Sequence, residues 1–416
     1  MTGPAHAGTG AHATIGGVGA VQSRPGGRNV RVLVAALLLQ QAYGLVFAWG
    51  VLAPYVRAEL RWSSVLTGAV FSATPLGYGL GSIIGGRLAD RLPLRGICGA
   101  GVAMLVTGMA VALAFPSELT FVVFYGWLAL GVGGGMALAG SVAASLRLFP
   151  ERAGAVGGAI TAAYAMAAVV QAPVLAWLAP TLGWLASLRL LGTILVGVAL
   201  LALVLMPGIP GVRRAQGLAG PSARPGLLSL GRRRRVWSGG VLILLPALLG
   251  TYAAVNVTGA ARAGHLAAWA GATAVVLFSL GNAGGRLAAG AAADRFGTDP
   301  VAAAVLVCDL SATLLFAGGP PVVPFLMAAL GAGSALGGAA GLTARMAADG
   351  APDAQSSAFG LLFASYASGA FLGPFVGAAA GGGSVSWLVV GLPAALGFPL
   401  ALLRTRGGLA REGLDG

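Results

Sequence analysis

Continuous apolar runs of about 20 residues recur about twelve times along this chain, separated by short polar loops. That pattern limits the fold more than any other feature. In hydrocarbon every backbone N–H and C=O must find a partner inside the protein, so a run of this length spans as an α-helix. Each residue rises ~1.5 Å, and ~20 residues cross a ~30 Å apolar layer. The runs are continuous rather than alternating, which argues against a β-barrel. Only 9% of the residues are charged, against about 25% in a soluble domain. The 70 glycines fit close helix packing in lipid, where small residues let backbones approach. The expected fold class is therefore an all-α membrane protein with twelve transmembrane helices.

The spans fall at roughly 32–54, 64–88, 96–115, 120–144, 155–178, 185–206, 237–258, 266–291, 301–317, 321–344, 357–380 and 385–403. Between the sixth and seventh lies the one long interior loop, rich in Pro, Gly and Arg. It divides the chain into a cytoplasmic tail at 1–29, a six-helix bundle at 30–206, a cytoplasmic linker at 207–236, a second bundle at 237–404 and a tail at 405–416. The first tail lacks the apolar core and cleavage site of a signal peptide and reads as disordered, with His6 and His12 inert. Cys98 and Cys308 lie inside apolar runs, so no disulfide framework is expected.

All 25 basic residues are arginines, and their placement is uneven. Arg24, Arg28, Arg31, Arg91, Arg95, Arg147, Arg152, the linker arginines 213, 214, 224 and 232 to 235, then Arg295, Arg345, Arg404, Arg406 and Arg411 fall on one side. Only Arg57, Arg61 and Arg262 fall in loops of the other side. The positive-inside rule makes the arginine-rich side cytoplasmic, with both termini and the linker on it. This placement explains the net charge of +14 better than nucleic-acid binding does. The Arg232–Arg235 run reads as a topology anchor in preference to an anionic-lipid contact. The expected location is a multi-pass protein of a cell inner membrane, monomeric, with the lipid bilayer as partner.

The two halves repeat one another. The second span ends in Gly86-Arg87-Leu88-Ala89-Asp90-Arg91-Leu92, and the eighth in Gly290-Ala291-Ala292-Ala293-Asp294-Arg295-Phe296-Gly297. These are two copies of G-x-x-x-D-R-x-G, with Pro93 in place of the last Gly of the first. Leu130-Gly131-Val132-Gly133 in the fourth span is matched by Leu330-Gly331-Ala332-Gly333 in the tenth. Two parallel six-helix repeats with a site between them resemble the architecture of the major facilitator superfamily. Asp90 and Asp294, with Arg91, Arg95 and Arg295 beside them, are the expected gating residues: an ion-pair latch that forms in one state and breaks in another.

Arg286 is the expected anchor of the site. It stands eight residues before Asp294, about 12 Å deeper along a helix and near the membrane centre. An arginine there costs roughly 2.5–3.5 kcal/mol on insertion scales. No acid lies at helical spacing on its own span, where Asn282 is four residues earlier. A substrate carboxylate, bidentate to the guanidinium, would supply the missing charge. Gln40, Gln41, Tyr43, Tyr164, Gln171, Tyr252 and Asn256 are candidates to line a cavity, and each also suits hydrogen bonding between helices. Of these, Gln40 and Tyr43 join the expected substrate site. Asp309, mid-span in the ninth run, reads as a protonated packing residue, with a proton carrier as the other reading.

The segment Asn282-Ala283-Gly284-Gly285-Arg286 resembles the N-x-x-G-R segment of the oxalate:formate antiporter family, related to monocarboxylate transporters. Three further stretches are similar: Phe47-Ala48-Trp49-Gly50 with Glu59-Leu60-Arg61-Trp62-Ser63; Gly131-Val132-Gly133-Gly134-Gly135 with Phe149-Pro150-Glu151-Arg152-Ala153-Gly154; and Phe359 to Tyr366 with Gly373-Pro374. The resemblance implies that Arg286 binds carboxylate. It also implies that oxalate exchangers carry a lysine where this chain has Tyr366, and the chain contains no lysine. A monocarboxylate is therefore favoured over oxalate. The monocarboxylate transporters tend to carry an aspartate where this chain has Asn282, which argues against proton symport through that pair.

The expected function is secondary transport of a small organic anion by alternating access, with anion exchange as one mode. The alternatives are a drug or metabolite exporter of the same fold and a non-transporting membrane receptor. A cation exporter would need acidic residues in spans one, four or seven, which hold none, and a receptor would need a longer soluble insertion than the ~30-residue linker. No enzyme is expected: without lysine there is no ATP-binding P-loop, the glycine motifs lie inside apolar runs, and His265 stands alone. No cofactor, metal site or nucleic-acid partner is expected.

Overall fold

The computed structural model describes residues 27–209 and 225–412. The expectations for the first tail, including His6, His12 and Arg24, and for Arg213, Arg214 and Arg224 lie outside those residues. Twelve helical spans result. Helix α1 runs Gly27–Tyr43, passes through a 3-10 turn at Gly44–Ala48 and continues as Trp49–Leu60. There follow α2 (Ser64–Ala89), α3 (Leu94–Ala114), α4 (Glu118–Leu148), α5 (Pro150–Leu182) and α6 (Trp184–Leu205). A short linker helix, Leu227–Gly231, precedes α7 (Arg234–Ala263), α8 (Ala268–Phe296), α9 (Thr298–Ala317), α10 (Val322–Gly350) and α11 (Gln355–Ala379). Helix α12 comprises Gly383–Gly391 and Ala394–Glu412, so it continues past the expected end of its span at 403. No strand occurs among the described residues.

Local sequence accounts for the ends of several helices. Ser63 caps α2, its hydroxyl accepting from the Leu66 N–H at 3.1 Å. Ser117 and Thr120 form a capping box at the start of α4. Gly183 and Gly297 take the positive φ that closes the turns after α5 and α8. Ten of the spans are long and apolar enough to cross a membrane by composition alone. The other two, α2 and α8, have 26 and 29 residues and turn glycine-rich faces toward other helices.

Each half carries its own apolar core. In the first, Phe121 lies tilted against Trp49 and Tyr125 and edge-on to Trp184, and the Trp49 indole donates to the Thr67 carbonyl at 2.8 Å. In the second, Trp387 lies against Phe316 and Tyr252. The halves join where α2 packs on α11 and where α5 packs on α8 and α10. Glycines make these joints possible. A Cβ on Gly86 would strike the Ser356 carbonyl, one on Gly360 the Ser82 carbonyl, and Gly154 and Gly290 press directly on each other. These joints lie in the half of the helices nearest the linker. Among the described residues no tight packing joins α1 to α7. The structure is thus closed at the linker end.

Candidate functional site

Arg286 lies where the two halves meet. Its helix, α8, is wedged between glycines: Gly158 of α5 and Gly341 of α10 press on the Arg286 backbone, and Gly337 of α10 presses on that of Asn282. The close approach brings the guanidinium into the interior, where the residue is 1% exposed. Its Nε donates to Asn282 Oδ1 at 3.1 Å, and one Nη donates to the Tyr366 hydroxyl at 3.0 Å. The guanidinium carbon stands 5.8 Å from the centre of the Tyr366 ring, within cation–π range. The other Nη is buried without a hydrogen-bond partner. No salt bridge reaches Arg286 among the described residues. Asn282, Arg286 and Tyr366 are thus brought together.

Around this group runs a chain of rings that crosses from one half to the other. Tyr164 of α5 lies 4.9 Å from Tyr78 of α2, Tyr78 lies 5.6 Å from Phe363 of α11, and Phe363 lies 5.2 Å from Tyr366. Phe47 of α1 touches Tyr164 edge-on at 5.0 Å. Gln40 reaches the group at second hand: its Oε1 accepts from the Tyr78 hydroxyl at 2.8 Å, and its buried amide nitrogen has no partner. Tyr78 was not among the residues singled out from sequence. The repeat could have found it, because Tyr78 stands as far before Asp90 as Asn282 stands before Asp294.

Tyr43 is placed elsewhere. It is fully buried inside the first half, against Gly101 and Gly134, and its hydroxyl has no partner. It faces its own bundle, away from the join between the halves. Gln41 and Gln171 bind α1 to α5, whereas Asn256 bonds only within its own helix. Gln41 donates to the Ala163 carbonyl at 2.8 Å, Gln171 donates to the Gln41 carbonyl at 2.6 Å, and Asn256 donates within its own helix to the Tyr252 carbonyl. Tyr164 joins the ring chain.

The two loop aspartates meet the opposite half by symmetry-related contacts. Asp294, at the linker end of α8, accepts from the backbone N–H groups of Gly154 and Ala155 at 2.8 and 2.7 Å. Those groups open the first turn of α5, where free N–H donors and the helix dipole favour an anion. Asp90, at the matching end of α2, accepts from Ser357 Oγ in the first turn of α11 at 2.7 Å. The arginines beside them are not the ones expected. Arg91, Arg95 and Arg295 are exposed, and Arg295 lies over the Phe296 ring. Arg345 approaches Asp294 at 3.6 Å instead. Arg147 donates to the Ala89 carbonyl at 2.7 Å within the field of Asp90. The loop arginines point outward because α2 and α8 end there, whereas α4 and α10 carry Arg147 and Arg345 inward.

Two acids lie apart from this site. Asp309 is 0% exposed on α9, which packs against α10 and α12, and neither of its carboxylate oxygens has a partner. Asp299 pairs with Arg404 at 2.7 Å, and Arg404 also donates to the Arg235 carbonyl and the Ser238 hydroxyl. Arg404, expected on the arginine-rich side just past the last span, is buried and ties α12 to the starts of α7 and α9. Among the described residues no three of His, Cys, Asp and Glu gather as a metal site would require.

Comparison with known proteins agrees with this architecture. A profile of the Major Facilitator Superfamily matches residues 33–266. The chain is similar in fold to the fucose transporter FucP in its outward conformation, with TM-score 0.69 and 18% identity over 90% of this chain and 98% of that one. A variant of the E. coli fucose:proton symporter FucP gives TM-score 0.70 at 17% identity, again over 90% and 98%. The proton:xylose symporter XylE, bound to 6-bromo-6-deoxy-D-glucose, gives 0.66 at 16% over 92% and 96%. No curated protein sequence matches. At these identities the solved structures establish the shared fold alone. The chain is a multi-pass membrane transporter rather than an enzyme, and it belongs to the Major Facilitator Superfamily.

Proposed function

We propose that this transporter carries a small monocarboxylate, held by Arg286, and that its arginine-rich end faces the cytoplasm of a cell with the site accessible from outside in this state. The observation that carries the reading is the free Nη of Arg286: a buried cation at the join of the halves, without an acid to neutralise it among the described residues. A charge removed from water to this extent is costly unless it is paired. A carboxylate entering from the end opposite the linker would pair it and occupy the unused donor. Asn282 and Tyr366 hold the other two edges of the guanidinium, which fixes the fork toward the incoming anion. One cation with no lysine beside it suits one carboxylate, so a monoanion is preferred to oxalate.

A neutral sugar would leave the charge of Arg286 uncompensated. The testing experiment is uptake into proteoliposomes of labelled monocarboxylates, oxalate, fucose and xylose. Saturable uptake of a monocarboxylate that is lost in Arg286→Gln supports the reading. Uptake of a neutral sugar alone, unaffected by that substitution, contradicts it.

A further inference from the structure

The linker helix, α7 and α11 enclose a slot of about 260 Å³ that the transport site does not use. Its walls are apolar: Val236, Trp237, Val241 and Leu244 from α7, and Leu361 and Leu362 from α11. From Val236 to Leu244 the slot descends about 12 Å along α7, most of the depth of one ~15 Å hydrocarbon leaflet. Gly240 and Ser365 of α11, which lie directly against each other, also line it. The surface beside it is apolar as well, with Leu228 81% exposed and Trp237 47% exposed.

At its mouth stands the run Arg232–Arg235. Two of the four arginines are committed. Arg233 forms a two-pronged ion pair with Asp353, which raises its own pKa and holds the Asp353 carboxyl below the usual carboxylate range. The Arg235 carbonyl is bound by Arg404, and its side chain is half-buried in the field of Asp349. The guanidinium groups of Arg232 and Arg234 have no hydrogen-bond or ion-pair partner among the described residues, and both residues are exposed. An apolar slot about 12 Å deep with two free cations at its mouth has the chemistry of a single ligand class.

We propose that this slot seats an anionic phospholipid, one acyl chain lying between α7 and α11 and the phosphate group resting on Arg232 and Arg234. The seat touches the parts that connect the halves. Arg87 of α2 holds the start of the linker helix through the Pro225 carbonyl at 2.9 Å, and α11 is the helix that packs on α2. A lipid bound there braces the linker-closed arrangement.

Trp237 lines the slot and supplies the test. The intact transporter is reconstituted in bilayers of phosphatidylcholine containing a small fraction of chain-brominated lipid, either phosphatidylglycerol or phosphatidylcholine. The fluorescence lost in the wild type but not in Trp237→Phe reports occupancy. Brominated phosphatidylglycerol is expected to quench Trp237 at several-fold lower mole fraction than brominated phosphatidylcholine. Each of Arg232→Gln and Arg234→Gln should reduce that preference about fivefold. Val241→Phe, which fills the slot and leaves the arginines intact, should abolish the specific quenching. Equal quenching by the two lipids overturns the proposal. So does a preference that survives Arg232→Gln combined with Arg234→Gln, or quenching that survives Val241→Phe. The single arginine variants keep the test open if the double variant does not fold.

Discussion

Asp294 is the point where one substitution should move the whole conformational equilibrium. Its carboxylate accepts two backbone N–H groups from the first turn of α5 in the opposite half. These bonds exist only while the linker end is closed. Hydrogen bonds to a charged group contribute about 1.5–3 kcal/mol each, net of solvation. The Asp294 side chain is 12% exposed, so solvent screens these bonds little and the range applies without discount. Asp294→Asn keeps one acceptor and turns its amide toward the second donor. The loss is one charged bond plus part of the dipole term, together about 2 kcal/mol. Each 1.4 kcal/mol is tenfold, so the closed state should lose ground about thirtyfold. Spin labels at Leu92 and Pro300, both exposed at the linker end of opposite halves, would read the change as a longer distance population. Asp90→Asn, whose remaining carbonyl oxygen can still accept from Ser357 as a neutral bond, should shift the populations less. An unchanged distance distribution in Asp294→Asn would refute the latch.

Three other outcomes follow from the same geometry. Tyr366→Lys would place an ammonium where the hydroxyl now sits 3.0 Å from Arg286, so the empty site should be destabilised by like-charge repulsion. A second carboxylate should then be favoured by a fraction of the ~4 kcal/mol Coulomb term at 4 Å and effective dielectric 20, and competition assays should show oxalate gaining on monocarboxylates. Unlabelled anion inside proteoliposomes should accelerate entry of label at clamped voltage, because the empty carrier must move the bare Arg286 charge through a closing constriction; equal initial rates with and without internal anion would rule out obligate exchange. With Cys98 and Cys308 replaced by alanine, Leu228→Cys should be labelled only from the cytoplasmic side and Ser117→Cys only from outside, and labelling of both from one side would contradict the topology.

The helices were legible because their signal is local. Twenty apolar residues and a charged loop need no tertiary information, and the spacing of Gly281 with Gly285, or Gly333 with Gly337 and Gly341, already marks a face where backbones meet. Asn282 could be attached to Arg286 because both lie on one helix, one turn apart. Tyr366 came from resemblance. The aspartate contacts were not legible, since Asp90 and Ser357 are 267 residues apart and nothing in either loop encodes the meeting. Sequence adjacency pointed to Arg91, Arg95 and Arg295, whereas the partners are set by how α4 and α10 pack beside α2 and α8. Tyr43 and Tyr78 look alike in sequence, each a tyrosine in an apolar span; only the rotation of α1 and α2 about their axes sends one into its own bundle and the other to the join. The burial of Arg404 was not legible because α12 runs past its apolar stretch, so the residue looks from sequence like a charge at the end of the last span.

The central claim is that Arg286 binds a carboxylate. Titration calorimetry of purified transporter with a monocarboxylate identified by uptake tests it directly, without the complications of turnover. Wild type should bind with a heat that disappears in Arg286→Gln, and Arg286→Lys should bind far more weakly, since it keeps the charge but loses the planar fork. Undiminished affinity in Arg286→Gln, in protein that still folds and reconstitutes, would contradict the account.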